Sequence, residues 1–234
     1  MPEFFVTGTD TGVGKTLVTA GLLRAAAARG LRSTGVKPLA AGATAHEGGW
    51  ANDDALLLRA ASSAPLDLAA TNPLLLRAAM APHLAARAEG VVPGARALAE
   101  SCLAAARRGH DLLLAEGAGG WLVPLNGRET MADVARHLGW PVILVVGMRL
   151  GCLNHALLSA AAIRASGLAL AGWVANSAWP AMPALEENIA TLDARLGAPR
   201  LGAVPWLGAV AGSDMPEAVA RHLDAGVLLE RAGA

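Results

Sequence analysis

A short apolar run that passes straight into a Gly-rich turn and then a helix restricts this chain more than any other feature. Glu3 to Gly8 holds Phe4, Phe5 and Val6 and reads as a buried strand. Gly8-Thr9-Asp10-Thr11-Gly12-Val13-Gly14-Lys15-Thr16 follows, and Lys15 to Arg29 reads as a Leu- and Ala-rich helix stopped by Gly30. Such a turn presents successive backbone N–H groups to an anion, and the helix N-terminus adds partial positive charge. Lys15 then reaches the terminal phosphates of a nucleotide, and the Thr16 hydroxyl can ligate magnesium. The strict pattern puts glycine at position 9, where Thr9 stands, with Gly8 one step earlier.

Lysine usage points to a second position. Of the 19 cationic side chains only Lys15 and Lys37 are lysine, and the rest are arginine. Lysine offers a compact ammonium on a flexible stem, a point charge suited to phosphate or a small anion. Lys37 opens Lys37-Pro38-Leu39-Ala40-Ala41-Gly42.

Further along, Thr34 to Leu39 is expected as a second strand ended by proline, and Asn52 to Ala61 as a helix with an acidic first turn. Pro93 to Arg108 is expected as a helix ended by Gly109. The apolar runs Leu112 to Ala115, Val142 to Val146 and Leu170 to Ala175 do not alternate with polar residues, as expected of parallel strands covered on both faces. Helical patterns at Thr130 to Leu138, Asn154 to Ser166 and Ala184 to Leu196 separate them, and Pro199 to Val204 is a weaker last strand. Strands and helices taking turns predict an α/β, doubly wound, mainly parallel sheet with helices on both faces, as one domain over residues 1–234. Ser62 to Pro82 carries several prolines and has no clear element.

Bulk properties exclude several classes. The 19 basic and 19 acidic side chains balance, so no broad basic face recommends nucleic acid. The longest strongly apolar stretch, near Trp140 to Met148, is too short to span a bilayer. Cys102 and Cys152 form no CxxC pair and no secretory leader precedes Phe4, so a reduced, cytoplasmic setting is expected. The histidines at 46, 83, 110, 137, 155 and 222 form no HxH or HxxxH pair suited to zinc.

Magnesium takes oxygen ligands and keeps several waters, so one hydroxyl and one or two carboxylates suffice. Glu116 closes the run Leu112-Leu113-Leu114-Ala115 and precedes Gly117-Ala118-Gly119-Gly120. A carboxylate at the C-terminal end of a parallel strand faces the ligand crevice. Asp53 and Asp54 are both candidates for a second carboxylate, and either would also suit a helix N-terminus.

Taken together, these residues resemble the dethiobiotin synthetase family. The resemblance is carried by Thr7 to Thr16, Lys37-Pro38, Asn52-Asp53-Asp54-Ala55, Pro82-His83 and Glu116-Gly117-Ala118-Gly119-Gly120-Trp121. It continues through Gly151-Cys152-Leu153-Asn154-His155, Gly172-Trp173-Val174-Ala175-Asn176 and Pro205-Trp206-Leu207, about nine-tenths of the chain in order. The resemblance implies an ATP- and magnesium-dependent carboxylation of 7,8-diaminononanoate with CO2. A substrate amine traps CO2 as a carbamate, whose oxygen attacks the γ-phosphate. The second amine then displaces phosphate from the mixed anhydride and closes a cyclic urea.

The same resemblance implies residue roles. Lys15 holds the β- and γ-phosphates together with Gly12, Val13 and Gly14, and Thr16, Asp54 and Glu116 hold magnesium. Lys37 neutralises the carbamate and the phosphoryl group, and Thr11 lies beside the carbamate. Gly117, Ala118 and Gly119 belong to the nucleotide site, and Asn176 and the backbone of Pro205, Trp206 and Leu207 contact adenine. The tail carboxylate reaches a helix N-terminus of a partner subunit at Gly151-Cys152-Leu153-Asn154, with Asn154 as its expected N-cap, which implies a homodimer. Ala41 stands where some members carry a substrate-touching serine, and Gly12 replaces a glutamate found in some relatives.

Two other readings share the loop. A partition or division-site ATPase carries a signature lysine two residues before the Gly-x-Gly of the loop, where this chain has Asp10. A cobyrinate-type amidating synthetase usually continues into a glutaminase domain, for which 234 residues leave no room.

Overall fold

A computed structural model describes residues 2–46, 48–180, 182–208 and 214–228. The chain order is β1 (Glu3–Gly8), α1 (Lys15–Ala27), β2 (Ser33–Val36), β3 (Leu39–Ala41), β4 (Thr44–His46), β5 (Gly49–Ala51), α2 (Asp53–Ala61), α3 (Leu68–Thr71) and β6 (Leu74–Leu76). It continues with α4 (Pro82–Ala88), α5 (Ala95–Ala106), β7 (Leu112–Gly120), α6 (Met131–Leu138), β8 (Val142–Gly147), α7 (Cys152–Ala165), β9 (Leu170–Asn176), α8 (Leu185–Leu196), β10 (Arg200–Val204) and α9 (Met215–Ala220). Among the described residues the main sheet is β10-β9-β8-β1-β7-β2, with every neighbouring pair parallel.

Alternate residues of each inner strand feed opposite cores, which explains the unbroken apolar runs. Phe5, Leu113, Ala115, Leu144 and Val146 pack under α5, α6, α7 and α8. Phe4, Val6, Leu112, Leu114, Ile143 and Val145 pack with α1, α2 and α9 on the other face. Glycine lets α1 lie close to the sheet, since a Cβ on Gly35 of β2 would meet Leu23 at 2.7 Å. Outer strand β10 is bordered by an antiparallel bridge from Gly202 to Leu223, and Asp224 N–H donates to Leu201 O at 2.8 Å.

Four expectations change. The strand expected over Thr34 to Leu39 is two, because β2 stops at Val36 and Leu39–Ala41 pairs instead with β6 in a small parallel sheet. Pro38 between them has no N–H to donate and cannot extend the ladder. Ser62 to Pro82 holds α3, whose N-cap is the Asp67 side chain, and β6. Strand β7 runs on to Gly120, four residues beyond Glu116, and meets Gly8 there after the β1 register shifts between Val6 and Gly8, with Gly119 taking the irregular step at φ 63. Helix α7 begins at Cys152 with Gly151 at its N-cap, at φ 97, so Asn154 sits inside the first turn and is not the N-cap. A left-handed N-cap favours glycine over asparagine at that point.

Candidate active site

The C-terminal ends of β1, β2 and β7 converge, and β1 turns there into α1 across the Gly-rich loop. Gly14 is the N-cap of α1 at φ 85, and its carbonyl accepts from Val18 N–H at 3.0 Å. A Cβ at Gly14 would overlap Asn176 Nδ2, which donates to Val13 O at 2.7 Å. Thr9 explains its own departure from the strict pattern. Its N–H donates to Val145 O at 3.0 Å, and its hydroxyl accepts from Gly147 N–H at 3.3 Å. It therefore prolongs the pairing of β1 with β8, and the turn begins one residue later. Asp10 Oδ1 accepts from Thr11 N–H at 2.7 Å, and Arg149 reaches Asp10 Oδ2 at 2.5 Å while stacking on Trp179. Lys15 Nζ curls back to Asp10 O at 3.1 Å.

The charged centre is compact. Glu116 is fully buried at 0% exposure, and Oε1 accepts from Lys37 Nζ at 2.5 Å and from Thr16 Oγ1 at 2.8 Å. Lys37 Nζ also donates to Asp54 Oδ2 at 2.9 Å. Asp54 stands in the first turn of α2, whose N-cap Asn52 accepts from Ala55 N–H and donates to Gly42 O at 2.7 Å. Asp53 points elsewhere, to Thr44 and His46, which separates the two aspartates.

Burial would lower the Lys37 ammonium, but the charges and hydrogen bonds of Glu116 and Asp54 outweigh it and raise its pKa above 10.5. Lys15 moves the other way. Burial lowers it, Glu116 and Asp54 offset this only in part, and Lys37 adds to the lowering. Burial alone would raise the Asp54 carboxyl, yet Lys37, Thr16 and Lys15 hold it below 3.8. Two ammonium groups and two carboxylates thus share one small volume with their charges in balance, and a cation held by the carboxylates would leave both ammonium groups facing anions.

These groups line a cavity of about 790 Å³. Thr11, Gly12, Gly14, Lys15, Thr16, Lys37, Ala41, Asp54, Glu116, Ala118 and Gly119 all face it, and Asn52, Met80, Pro82, Val123 and Pro124 are among the rest of its wall. Val13, Gly117 and Asn176 support it from behind. Val13 is buried under the loop, and a Cβ on Gly117 would meet Phe5 at 2.9 Å. Pro205, Trp206 and Leu207 follow β10 and line neither this cavity nor its neighbour. The neighbour, of about 390 Å³, shares Thr11, Val123 and Pro124 and is walled by Trp121, Leu122, Leu158 and Ala162. Gly151, Cys152, Leu153 and Asn154 do not face either one.

Sequence reasoning put Asn52 at the helix start and in a matched motif but gave it no place in the site, and Met80, which carried no signal, was missed. The oxygen-only set of Thr16, Asp54 and Glu116 suits a hard divalent cation. Glu116 Oε2 is buried without a hydrogen-bond partner, an acceptor that such a cation would satisfy. Neither cysteine offers a nucleophile, since burial raises Cys152 and pushes Cys102 up to about 12.

A family model described as an AAA domain matches residues 3–213. The chain is 56% identical over 224 residues to the ATP-dependent dethiobiotin synthetase BioD of Pseudomonas paraeruginosa, covering 96% of each chain. It is 54% identical over 227 residues to that of Cellvibrio japonicus, covering 97% of each. Among solved structures, MinD of Pyrococcus horikoshii with Mg-ADP superposes with a TM-score of 0.54 at 17% identity, over 98% of this chain and 96% of that one. The MinC:MinD complex of Aquifex aeolicus gives 0.55 at 14% identity, over 100% of this chain and 96% of that one. Likeness at that identity extends to the fold alone, so the division-site reading gains nothing beyond a shared sheet and loop. Near-full-length identity above one half, together with a loop, a buried glutamate and two lysines meeting in one cavity, settles the kinship: the chain belongs to the ATP-dependent dethiobiotin synthetase family.

Proposed function

We propose that this chain converts 7,8-diaminononanoate, CO2 and ATP to dethiobiotin, ADP and phosphate. The observation that carries this reading is the meeting of Lys15, Lys37, Thr16, Asp54 and Glu116 around one cavity at the end of β1. The reaction needs positioning and charge neutralisation more than a proton-transfer pair. The N–H groups of Gly12, Val13, Gly14, Lys15 and Thr16 cradle the phosphates, and the Lys15 ammonium faces the β- and γ-oxygens. Thr16 Oγ1 and the Asp54 and Glu116 carboxylates would hold magnesium. When bound, that ion withdraws charge from the phosphoryl oxygens.

Lys37 acts at the reacting end. Its stem lets the ammonium exchange the two carboxylates for the carbamate and the phosphoryl oxygens, without leaving the cavity. The Thr11 hydroxyl borders both cavities, which suits a residue beside the carbamate. Gly117, Ala118 and Gly119 let the strand approach the nucleotide closely. Asn176 has its amide N–H committed to Val13 O, which leaves Oδ1 to accept from the adenine amino group, and the Pro205, Trp206 and Leu207 backbone lies on the same side of the sheet order.

The second cavity takes the apolar chain of the substrate between Trp121, Leu122 and Leu158. The tail carboxylate then meets Gly151, Cys152, Leu153 and Asn154 at the α7 N-terminus of a second copy, so the working form is a homodimer. Exposure of Leu122 and Leu158 beside that cavity supports a covered face. One domain over residues 1–234 is supported by the single main sheet, and a reduced cytoplasmic setting by the two free, buried cysteines. No helix among the described residues is long and apolar enough to cross a membrane.

The test is incubation of the purified protein with diamine, bicarbonate, magnesium and ATP. Phosphate release that depends on the diamine, with a cyclic urea as product, is expected. ATP hydrolysis indifferent to the diamine would sink the proposal.

A further inference from the structure

Lys37 sits just outside the sheet that places it. The last ladder pair of β2 is Val36 with Ala115, and β2 is the outer strand on its side. Pro38 follows and offers no N–H. The two peptide groups of Lys37 therefore need partners from elsewhere, since buried backbone polar groups left alone are costly.

Both partners come from one dipeptide. Lys37 N–H donates to Thr71 O at 2.7 Å, and Asn72 Nδ2 donates to Lys37 O at 2.7 Å. Asn72 is itself buried, and its Nδ2 also lies 3.3 Å from Leu74 O, the first residue of β6. Its own N–H donates to Leu68 O at 2.8 Å, which fixes it to α3. A side-chain amide has two donors, and here both are spent on carbonyls that flank the Lys37-Pro38 step and the β3–β6 pairing. Asn72 does not line the cavity. Its shortest link to the site is through the backbone of Lys37, and the longer contact to Leu74 O reaches the β3–β6 pair beside it.

From this geometry we infer that Asn72 is a positioning residue for Lys37: it holds the lysine Cα so that the ammonium lands between Glu116 and Asp54. The inference rests on the role proposed above for Lys37 and adds the residue that aims it. A four-carbon stem leaves the ammonium free to swing, so its resting point depends on where the backbone is held. A displacement of about 1 Å is enough to cost a reacting site up to roughly a hundredfold in rate.

The experiment compares Asn72→Ala, Asn72→Asp and Lys37→Met, singly and with each Asn72 change combined with Lys37→Met, in diamine-dependent phosphate release, alongside ATP binding and thermal unfolding. Asn72→Asp keeps the shape but removes the donors, and it serves if Asn72→Ala does not fold. The expected result is a kcat lowered between about tenfold and a hundredfold in either Asn72 variant, with KM for ATP changed less than about threefold. In the Lys37→Met background the same Asn72 changes are expected to slow the residual rate by less than about twofold, because the group they aim is gone. Equal slowing in both backgrounds would overturn the inference and make Asn72 a general fold contact, as would a wild-type kcat in both Asn72 variants. Near wild-type turnover in Lys37→Met alone would overturn the role of Lys37 and the inference with it.

Discussion

Lys37 Nζ and Glu116 Oε1 lie 2.5 Å apart, with the glutamate wholly buried and the lysine nearly so. A pair this enclosed has few alternatives, because either charge alone would face a large desolvation cost. Asp54 gives the ammonium its second contact, at 2.9 Å, and is the partly solvated member of the three.

Replacing Glu116 with glutamine keeps the shape and removes the charge. We expect turnover to fall about a hundredfold or more, as for loss of one preorganised electrostatic group. Stability should drop by about 3 kcal/mol, the low end for breaking a buried pair, since Asp54 still faces Lys37. Steady-state phosphate release and urea unfolding check the two parts, and full turnover in Glu116→Gln would refute the site.

The loop predicts a contrast between two glycines. Gly12 and Gly14 are both left-handed, at φ 75 and φ 85, but a Cβ at Gly12 meets nothing within 4 Å while one at Gly14 overlaps Asn176. Gly14→Ala should weaken binding of a non-hydrolysable ATP analogue by about a hundredfold, and Gly12→Ala by about tenfold, the cost of backbone strain alone. Isothermal titration calorimetry measures both, and equal losses would contradict the role given to Asn176.

Acid stability should carry the Asp54 pairing. Its folded pKa lies below the ordinary 3.8, so the unfolded chain takes up the proton first. The contribution is present above pH 3.8 and is lost as pH falls through the folded value. Wild type should therefore be more stable than Asp54→Asn at pH 6, by less than about 1 kcal/mol because the side chain is half-exposed. The gap should close toward pH 2 in urea titrations, and a gap independent of pH would refute the pairing. Lys37 works at the other end: raised above 10.5, it stabilises below that pH and loses the effect as pH climbs through its folded value.

Leu158 tests the proposed contact with a second copy. It is exposed on α7 and lines the second cavity. Leu158→Arg should leave the monomer fold intact, shift sedimentation to the monomer and raise KM for the diamine by about tenfold or more. A monomeric wild-type protein would refute the homodimer.

The sheet and its helices were legible because their signals were local: β1, α1, β8, β9 and α8 each lie within a few residues of where the apolar pattern ends. Lys15, Thr16 and Glu116 were legible for the same reason, as residues at the ends of such patterns. Position did not separate Asp54 from Asp53, because both suit a helix start; the family resemblance chose Asp54, and the contacts to Lys37 and to Thr44 set the two apart. The split of Thr34 to Leu39 into two strands was hidden, since Val36-Lys37-Pro38-Leu39 reads as one extended run until Thr71 and Asn72 are seen to hold its middle. Asn154 looked like a cap because it is polar, yet Gly151 takes that place through a positive φ that composition does not reveal.

The segment that closes against β10 has a role away from the chemistry. Leu223 bridges Gly202, Asp224 caps Leu201, and a Cβ at Gly202 would collide with the His222 carbonyl, so the fit tolerates only glycine there. That seal occupies hydrogen-bonding groups which a bare outermost strand would otherwise offer to neighbouring molecules. The turn after α9 thereby leaves fewer open groups along the outermost strand for a foreign strand to pair with.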